Sequence, residues 1–254
     1  MLASERREKI LSMIRDRGSV RVNELTSLFN VTDVTIRHDL LELAEQDQLR
    51  RTHGGAVLQT QTPMDIAFAQ RTRQHREEKA RIGKVAAQLV KNGETVLFDG
   101  GSTTMHIAKN LKNIEHATFV TVSPSICETL AGRNLQATVH LTAGEFNRRT
   151  LALEGPQVAS SLQGLYIDKL FLAIHAFDID KGLTDLTLSQ AFTKKALIEA
   201  SREIILVADS SKFNDVAFST VAPLTCVHIL VTDNGLSEEA IQQIEAIGVK
   251  VILA

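Results

Sequence analysis

Cysteine is scarce in this sequence: two residues in 254, Cys127 and Cys226, each in an apolar neighbourhood and neither in a paired spacing. That excludes zinc and dithiol redox chemistry built on cysteine pairs and leaves both thiols as core residues. An excess of one charge is lacking too. The 28 Lys and Arg against 30 Asp and Glu give a formal net charge of −2, so no global field advertises a polyanion partner. A nucleic-acid reading must therefore rest on local arrangement. No run approaches the ~18 uninterrupted apolar residues that a membrane span needs. The opening "MLASERREKI" has charge where a signal peptide needs an apolar core, so a cytoplasmic location and no membrane partner are expected. Internal repeats and low-complexity tracts are missing as well.

What is present is a globular composition, 44% hydrophobic and 23% charged, in a chain long enough for two domains. The pattern changes along it: short helical periodicities come first, and from about residue 94 β-rich runs alternate with helical ones. We divide the chain into a domain over 1–57, a linker over 58–76 that starts polar and carries Pro63, and a domain over 77–254. Ile82, Val85, Ala86, Leu89 and Val90 fall at helical spacing, so a helix opens the last of these.

In the first domain Ile10, Met13 and Ile14 mark a helix ending near Gly18. "VNELTSLF" predicts a second that buries Val22, Leu25 and Leu28, with Asn23 near its start as a cap. Thr32 caps a third, where Ile36, Leu40 and Leu43 recur at i, i+4, i+7. Thr35, His38, Asp39 and Glu42 then face outward, and Arg37 falls on the flank. "LRRTHGGAV" sets Arg50, Arg51 and His53 in a two-stranded hairpin turning at Gly54-Gly55. Three helices and a basic hairpin make a winged helix-turn-helix, whose last helix enters the major groove while the wing follows phosphates. Hydroxyls at Thr32 and Thr35, the adjustable donor His38, and the cations Arg37, Arg50 and Arg51 beside His53 suit contact with double-stranded DNA. Periodicity alone leaves a protein-interaction module open.

The second domain carries "ETVLFD", "ATFVTV", "ATVHLTA", "DKLFLAIH", "EIILVAD", "HILVTD" and "VKVIL", most of them separated by helices. Continuous Val, Ile and Leu in such an order imply an α/β fold with a mostly parallel sheet covered on both faces. Ligands gather at the carboxyl ends of these strands. Asp99, Gly100, Gly101, Ser102, Thr103 and Thr104 stand at one such end, with Ser123, Asp178, Asp209, Lys212 and Asp233 at others. Gly100-Gly101 allow a tight turn, and Ser102 to Thr104 open a helix whose free N–H groups and dipole favour an anion. A plain strand-to-helix joint remains the alternative. The motif is neither a Walker A loop nor a GxGxxG turn. Lys194 and Lys195 open another predicted helix, where the dipole disfavours a cation and an anionic ligand would hold it. His175 reads as a buried, hydrogen-bonded core residue ahead of a ligand contact. Nothing asks for a cofactor, a metal or a catalytic residue.

The order Arg6, Ile10, Ile14 and, after a spacer, Thr32-x-x-Thr35-Ile36-Arg37-x-Asp39-Leu40, followed by "RRTHGGAV", resembles the helix-turn-helix and wing of the DeoR/GlpR family of bacterial sugar-catabolism repressors. "EEKARIGKVAAQLV", "DGGSTTMHIA", "DKLFLA", "GLT" and "ILVADSSKF" are similar to that family's sensor domain, which is like ribose-5-phosphate isomerase in fold. The resemblance implies a repressor of a carbohydrate-catabolism operon, a homo-oligomer (dimer or tetramer) on operator DNA. It also implies a phosphorylated sugar effector held by Asp99 through Thr104 and Lys212. There are departures. His38 stands where the family shows Arg, Lys or Asn, Ala143-Gly144 replaces Gly-Gly, and residues 173–176, "AIHA", replace a GADG-like turn. The glutamate often found after "GLT" is missing from "TDLTLSQ". The added Cβ atoms and the imidazole narrow the expected pocket. The rival reading is a phosphosugar isomerase with an appended DNA-binding domain and Asp99 or Asp178 as base; the missing glutamate counts against it.

Overall fold

The structure, a computed structural model, describes residues 3–45, 49–52, 54–58, 74–133 and 135–254. The chain divides into two compact units, Met1–Gln70 and Arg71–Ala254. Most of the expected linker lies outside the described residues.

The first unit runs α1 (Ala3–Arg17), β1 (Ser19–Arg21), α2 (Val22–Phe29), α3 (Asp33–Glu45), β2 (Leu49–Thr52) and β3 (Gly55–Leu58). Ile10 and Ile14 of α1, Val22 and Leu25 of α2, and Ile36, Leu40 and Leu43 of α3 bury their side chains in one core closed by Leu49. Each such aliphatic contributes about 1.5–3 kcal/mol of transfer free energy. Two expectations fail on α2. It starts at Val22 with Arg21 at the cap position, so Asn23 is no cap, and Leu28 is 57% exposed. The wing has three strands rather than two, in the order β1-β3-β2. The added strand explains Gly55, where a Cβ would fall 2.0 Å from the Val20 carbonyl oxygen.

The second unit opens with α4 (Arg76–Ala87) and then alternates: β4 (Thr95–Phe98), α5 (Ser102–Asn110), β5 (Glu115–Thr121), α6 (Pro124–Ala131), β6 (Gln136–Leu141). A hairpin, β7 (Glu145–Asn147) and β8 (Ala152–Glu154), leads to α7 (Pro156–Leu162) and β9 (Ile167–Leu172). There follow β10 (Ala176–Asp178), β11 (Gly182–Asp185), α8 (Leu188–Glu199), β12 (Ser201–Val207), β13 (Ser219–Ala222), β14 (Ile229–Thr232), α9 (Glu238–Ala246) and β15 (Lys250–Leu253). The seven strands expected from sequence form one sheet, β15-β14-β12-β9-β4-β5-β6, with every neighbouring pair parallel. Phe98 stacks on Phe171 at 5.5 Å and meets Phe119 edge-on at 5.7 Å, tying the neighbouring strands β9, β4 and β5 on one face. A separate antiparallel sheet, β10-β11-β13, was not expected.

The strand order fixes where a ligand can sit. From β4 the chain winds outward through β5 to β6, then returns to the opposite side of β4 with β9 and winds away through β12, β14 and β15. The direction reverses between β4 and β9. At such a switch point the connections leave to opposite faces and open a crevice beyond the carboxyl ends of the two strands.

Candidate functional site

On α3, Thr32 caps the helix: its Oγ1 accepts from Thr35 N at 3.3 Å and lies 2.9 Å from Thr35 Oγ1. Thr32, Arg37 and His38 are exposed and Thr35 is half-buried. Arg37 Nε donates to Asp33 Oδ1 at 2.9 Å, and His38 Nδ1 stands 3.3 Å from Glu42 Oε1. Exposed i,i+4 pairs of this kind are weak, so both side chains remain available to a partner. Asp39 departs from expectation. It is 1% exposed, and Arg6 grips both its oxygens, Nε to Oδ2 at 2.5 Å and Nη2 to Oδ1 at 3.1 Å, while Arg7 Nε adds a 3.2 Å bond. It holds α1 to α3 rather than facing outward. Arg51 is exposed on β2, and Arg50 pairs with Val57 in the strand register. His53 and the side chain of Arg50 lie outside the described residues.

In the second unit a cleft of about 190 Å³ opens at the switch point, lined by Gly100 to Thr103 after β4, Ala173 to His175 after β9 and Asp209, Ser211 and Lys212 after β12. Gln74, His75 and Lys79 reach it from the start of α4, and Asp185, Gln190 and Lys194 from β11 and α8. Helix geometry leaves the amides of Ser102, Thr103 and Thr104 without partners further up α5. That first turn has no acidic residue and no side-chain cap. Gly100 and Gly101 owe their place to close approach rather than to a left-handed turn: Cβ atoms there would come within 2.5 Å of Ala152 Cβ and 3.0 Å of Ala173 Cβ.

Under this loop lies a buried charge cluster. Asp99 accepts from Gly100 N at 2.7 Å and Ala173 N at 3.1 Å, fixing the ends of β4 and β9 to each other. Lys194 Nζ donates to Asp99 Oδ2 at 2.5 Å and to the Ala173 carbonyl at 2.6 Å, and lies 3.5 Å from Asp185 Oδ2. Burial pushes the Asp99 carboxyl above its ordinary range against the pull of Lys194. For Lys194 burial works against the charge, and Asp99 with Asp185 more than offsets it, so its pKa is raised. Lys194 therefore does not open a helix, as the sequence suggested. It sits mid-way along α8, whose cap is Thr187, and two carboxylates rather than an outside anion hold it. Lys195, next to it, is exposed.

Other expected contacts lie elsewhere. Asp178 Oδ1 accepts from Asp180 N and Lys181 N, both at 2.8 Å, closing the turn between β10 and β11. Ser123 is buried before α6, with its hydroxyl 3.4 Å from the Leu151 carbonyl, and does not line the cleft. Asp233 accepts from Ser210 N at 2.7 Å, Ser210 Oγ at 2.9 Å and Gly235 N at 3.1 Å; burial would raise its pKa, but these bonds hold it below the usual carboxylate value. Its job is to fix the short turn that carries Lys212. Lys212 is half-buried at the cleft and, among the described residues, its side chain makes no ion pair or hydrogen bond. His175 is a partly exposed cleft residue rather than a core histidine. No group of His, Cys, Asp and Glu able to hold a metal ion occurs among the described residues.

Residues 6–62 match the family model of the DeoR-like helix-turn-helix domain, and residues 74–234 match that of the DeoR C-terminal sensor domain. The chain belongs to the DeoR family of transcriptional regulators. Among its DeoR relatives, an uncharacterized HTH-type regulator, YulB of Bacillus subtilis, is 38% identical over 99% of this chain and 96% of its own length. The transcriptional repressor AccR of Agrobacterium fabrum is 36% identical over 91% and 90%. Among solved structures, ribose 5-phosphate isomerase A from Neisseria gonorrhoeae aligns over 53% of this chain and 52% of its own, at 17% identity and a TM-score of 0.39. As a DeoR regulator the chain pairs a DNA-binding domain with a sensor domain, and no described helix is long and apolar enough to cross a membrane. Sequence reasoning missed Lys79, Asp185, Gln190 and Thr150 as cleft residues. Asp185 directly follows the "GLT" tripeptide, so a carboxylate does stand near the place where the family's glutamate was found missing.

Proposed function

We propose that this regulator represses a carbohydrate-catabolism operon and leaves its operator when a phosphorylated sugar or related metabolite fills the cleft at the β4/β9 switch point. The observation that carries the effector class is the cationic, uncapped end of that cleft: the amides of Ser102 to Thr104 at the start of α5, and Lys212 with no charge partner among the described residues. That arrangement suits a phosphate dianion. Asp185, Gln190, Thr150 and His175 at the other lining positions suit hydroxyls. A metabolite that binds the DNA-incompetent arrangement more tightly shifts the population away from operator binding. Ser102→Ala should weaken binding of a phosphate ester about tenfold, since a hydrogen bond to a charged group is worth about 1.5–3 kcal/mol. Operator affinity without effector should stay unchanged. Calorimetric titration and a DNA-binding assay on the same preparation read both; unchanged effector affinity would count against the phosphate end.

We infer that the cleft does not turn substrate over. Asp99 is committed to two backbone amides and Lys194, and Asp178 to a turn, so neither carboxylate nominated as isomerase base is poised over a ligand. A cytoplasmic, homo-oligomeric protein fits operator binding, because one short helix and wing offer too little contact alone. Exposed apolar side chains support self-association. Thr184 Oγ1 accepts from Ala217 N at 2.8 Å, bringing Val216 (53% exposed) and Phe218 (80%) to the strand that leads into Leu188 (71%). Phe218→Asp should lower the assembly state seen by sedimentation and weaken operator binding by at least about tenfold, in line with a hot-spot residue. An unchanged sedimentation coefficient would remove this surface from the interface.

A further inference from the structure

Lys79 carries its charge where its own helix does not favour one. It lies on the first turns of α4, where the dipole disfavours a cation, and it is 5% exposed. Its Nζ donates to the Gln74 carbonyl at 2.6 Å and stands 3.9 Å from Asp209 Oδ2, beyond hydrogen-bond reach. Asp209 is itself 1% exposed, its Oδ1 takes the Ser211 hydroxyl, and its Oδ2 is buried without a hydrogen-bond partner among the described residues. A buried pair held apart in this way is poised between two arrangements, because a small displacement of Nζ either closes the gap or widens it. Both residues line the cleft beside Ser211 and Lys212.

The other end of this contact gives it consequence. Gln74 and His75 also line the cleft, and in sequence they lie near the start of the sensor unit, on the side that follows the DNA-binding unit. His75 holds a left-handed backbone, φ 52° and ψ 40°, a sparsely populated conformation for a non-glycine that persists only where its surroundings enforce it. Lys79 restrains both residues: its Nζ donates to Gln74 O, and its amide donates to His75 O at 3.0 Å. A single residue thus lines the cleft and restrains two residues near the start of the sensor unit.

We propose that Lys79 is the positioning residue through which occupancy of the cleft is felt at Gln74–His75, with Asp209 setting its resting place. The proposal rests on reading the cleft as an anion-binding effector site. An anion seated between Ser102 and Lys212 draws Nζ from the Gln74 carbonyl, and the left-handed turn at His75 is released.

The test is amide hydrogen exchange on the full-length protein with inorganic phosphate as the probe, read in peptides covering residues 74–79 and 102–104. In the wild type, phosphate should slow exchange at 102–104 and speed exchange at 74–79 by at least about threefold, as loss of a local restraint does. In Lys79→Met, with phosphate raised until residues 102–104 respond as in the wild type, the response at 74–79 should be absent, and Lys79→Arg should restore it. Asp209→Asn, close in shape, should speed exchange at 74–79 with no phosphate present, and it serves if the methionine variant does not fold. A wild type that responds at 102–104 but not at 74–79, or a Lys79→Met protein that still responds at both, overturns the coupling role alone. A wild type with no response at 102–104 overturns the anion-binding reading and this inference with it.

Discussion

Lys194→Met should destabilise the sensor unit by about 3–5 kcal/mol at neutral pH, the usual consequence of removing one partner from a buried ion pair. The variant keeps the volume of the stem and leaves Asp99 and Asp185, 3% and 4% exposed, facing each other without their cation. At roughly 2–4 °C per kcal/mol for a unit of this size, the melting temperature should fall by about 10 °C or more. The deficit should depend on pH with a definite sign. Burial already holds the Asp99 carboxyl above its ordinary value in the intact cluster. Without Lys194 it rises further, so between the unfolded value and the new one the folded state binds a proton that the unfolded chain does not. Stability of the variant in that window therefore falls as pH rises, and acidification recovers part of the loss. The wild type has its own limit on the alkaline side. Lys194 is raised above its ordinary value, so what it contributes is present below the unfolded lysine pKa and is lost as pH climbs through the folded one. Lys195→Met, on an exposed neighbour, should stay within about 0.5 kcal/mol. Urea melts of the three proteins at neutral and mildly acidic pH decide the matter. Equal stability of Lys194→Met and Lys195→Met would remove the cluster from the fold's support.

The contrast between these two lysines shows what sequence could reach. The seven parallel strands were legible because strands buried on both faces are continuous runs of Val, Ile, Leu and Phe, as in "TVLF" and "EIILV". β1, β10, β11 and β13 were not, because SVR, AFD, GLTD and STVA are short and hold no continuous apolar run. The loop from Asp99 to Thr104 was read as a candidate ligand site from its place at a strand end, and Gly100 to Thr103 line the cleft. The partner of Asp99 stands 95 residues later, and a pairing at that separation leaves no trace in local spacing. Asp39 failed for a similar reason. Helical periodicity set it on the outer face of α3, yet α1 supplies Arg6 and Arg7 to bury it. Arg6 and Asp39 occur together in the signature that identifies the DNA-binding domain, and that was the available signal. The glycines after β4 were recognised, but for a turn rather than for the approach of Ala152 and Ala173, since only the three-dimensional neighbours distinguish those reasons.

His38→Ala and Arg51→Ala should divide DNA recognition into its two physical parts. Thr32, Thr35 and His38 are spaced by three, which sets them along one line of α3, with Thr32 at the cap where a recognition helix meets base edges. The His38 side chain is 66% exposed, and its contact to Glu42 at 3.3 Å is a surface pair that DNA can displace. Loss of a base-reading side chain costs about 1–3 kcal/mol against the preferred base, so His38→Ala should relax the preference at one position in each half-site by about tenfold or more. The salt dependence of binding should barely change. Arg51, exposed on the wing strand β2, has the opposite signature in prospect. Its loss should weaken every sequence to a similar degree and lower the slope of log affinity against log salt by about one unit per contact, because one phosphate per wing is no longer neutralised. Arg37 is the instructive middle case. Its Nε is held by Asp33 at 2.9 Å one turn earlier, which draws the guanidinium along the flank of the helix and away from the line through Thr35 and His38. We expect Arg37→Ala to follow Arg51→Ala rather than His38→Ala. Selection of binding sites from randomised DNA, with affinities of the selected pools measured across a salt series, separates the two behaviours. If Arg37→Ala instead altered the selected bases while keeping the salt slope, the flank assignment would be wrong, and the Asp33 pair would be a resting contact broken on the DNA.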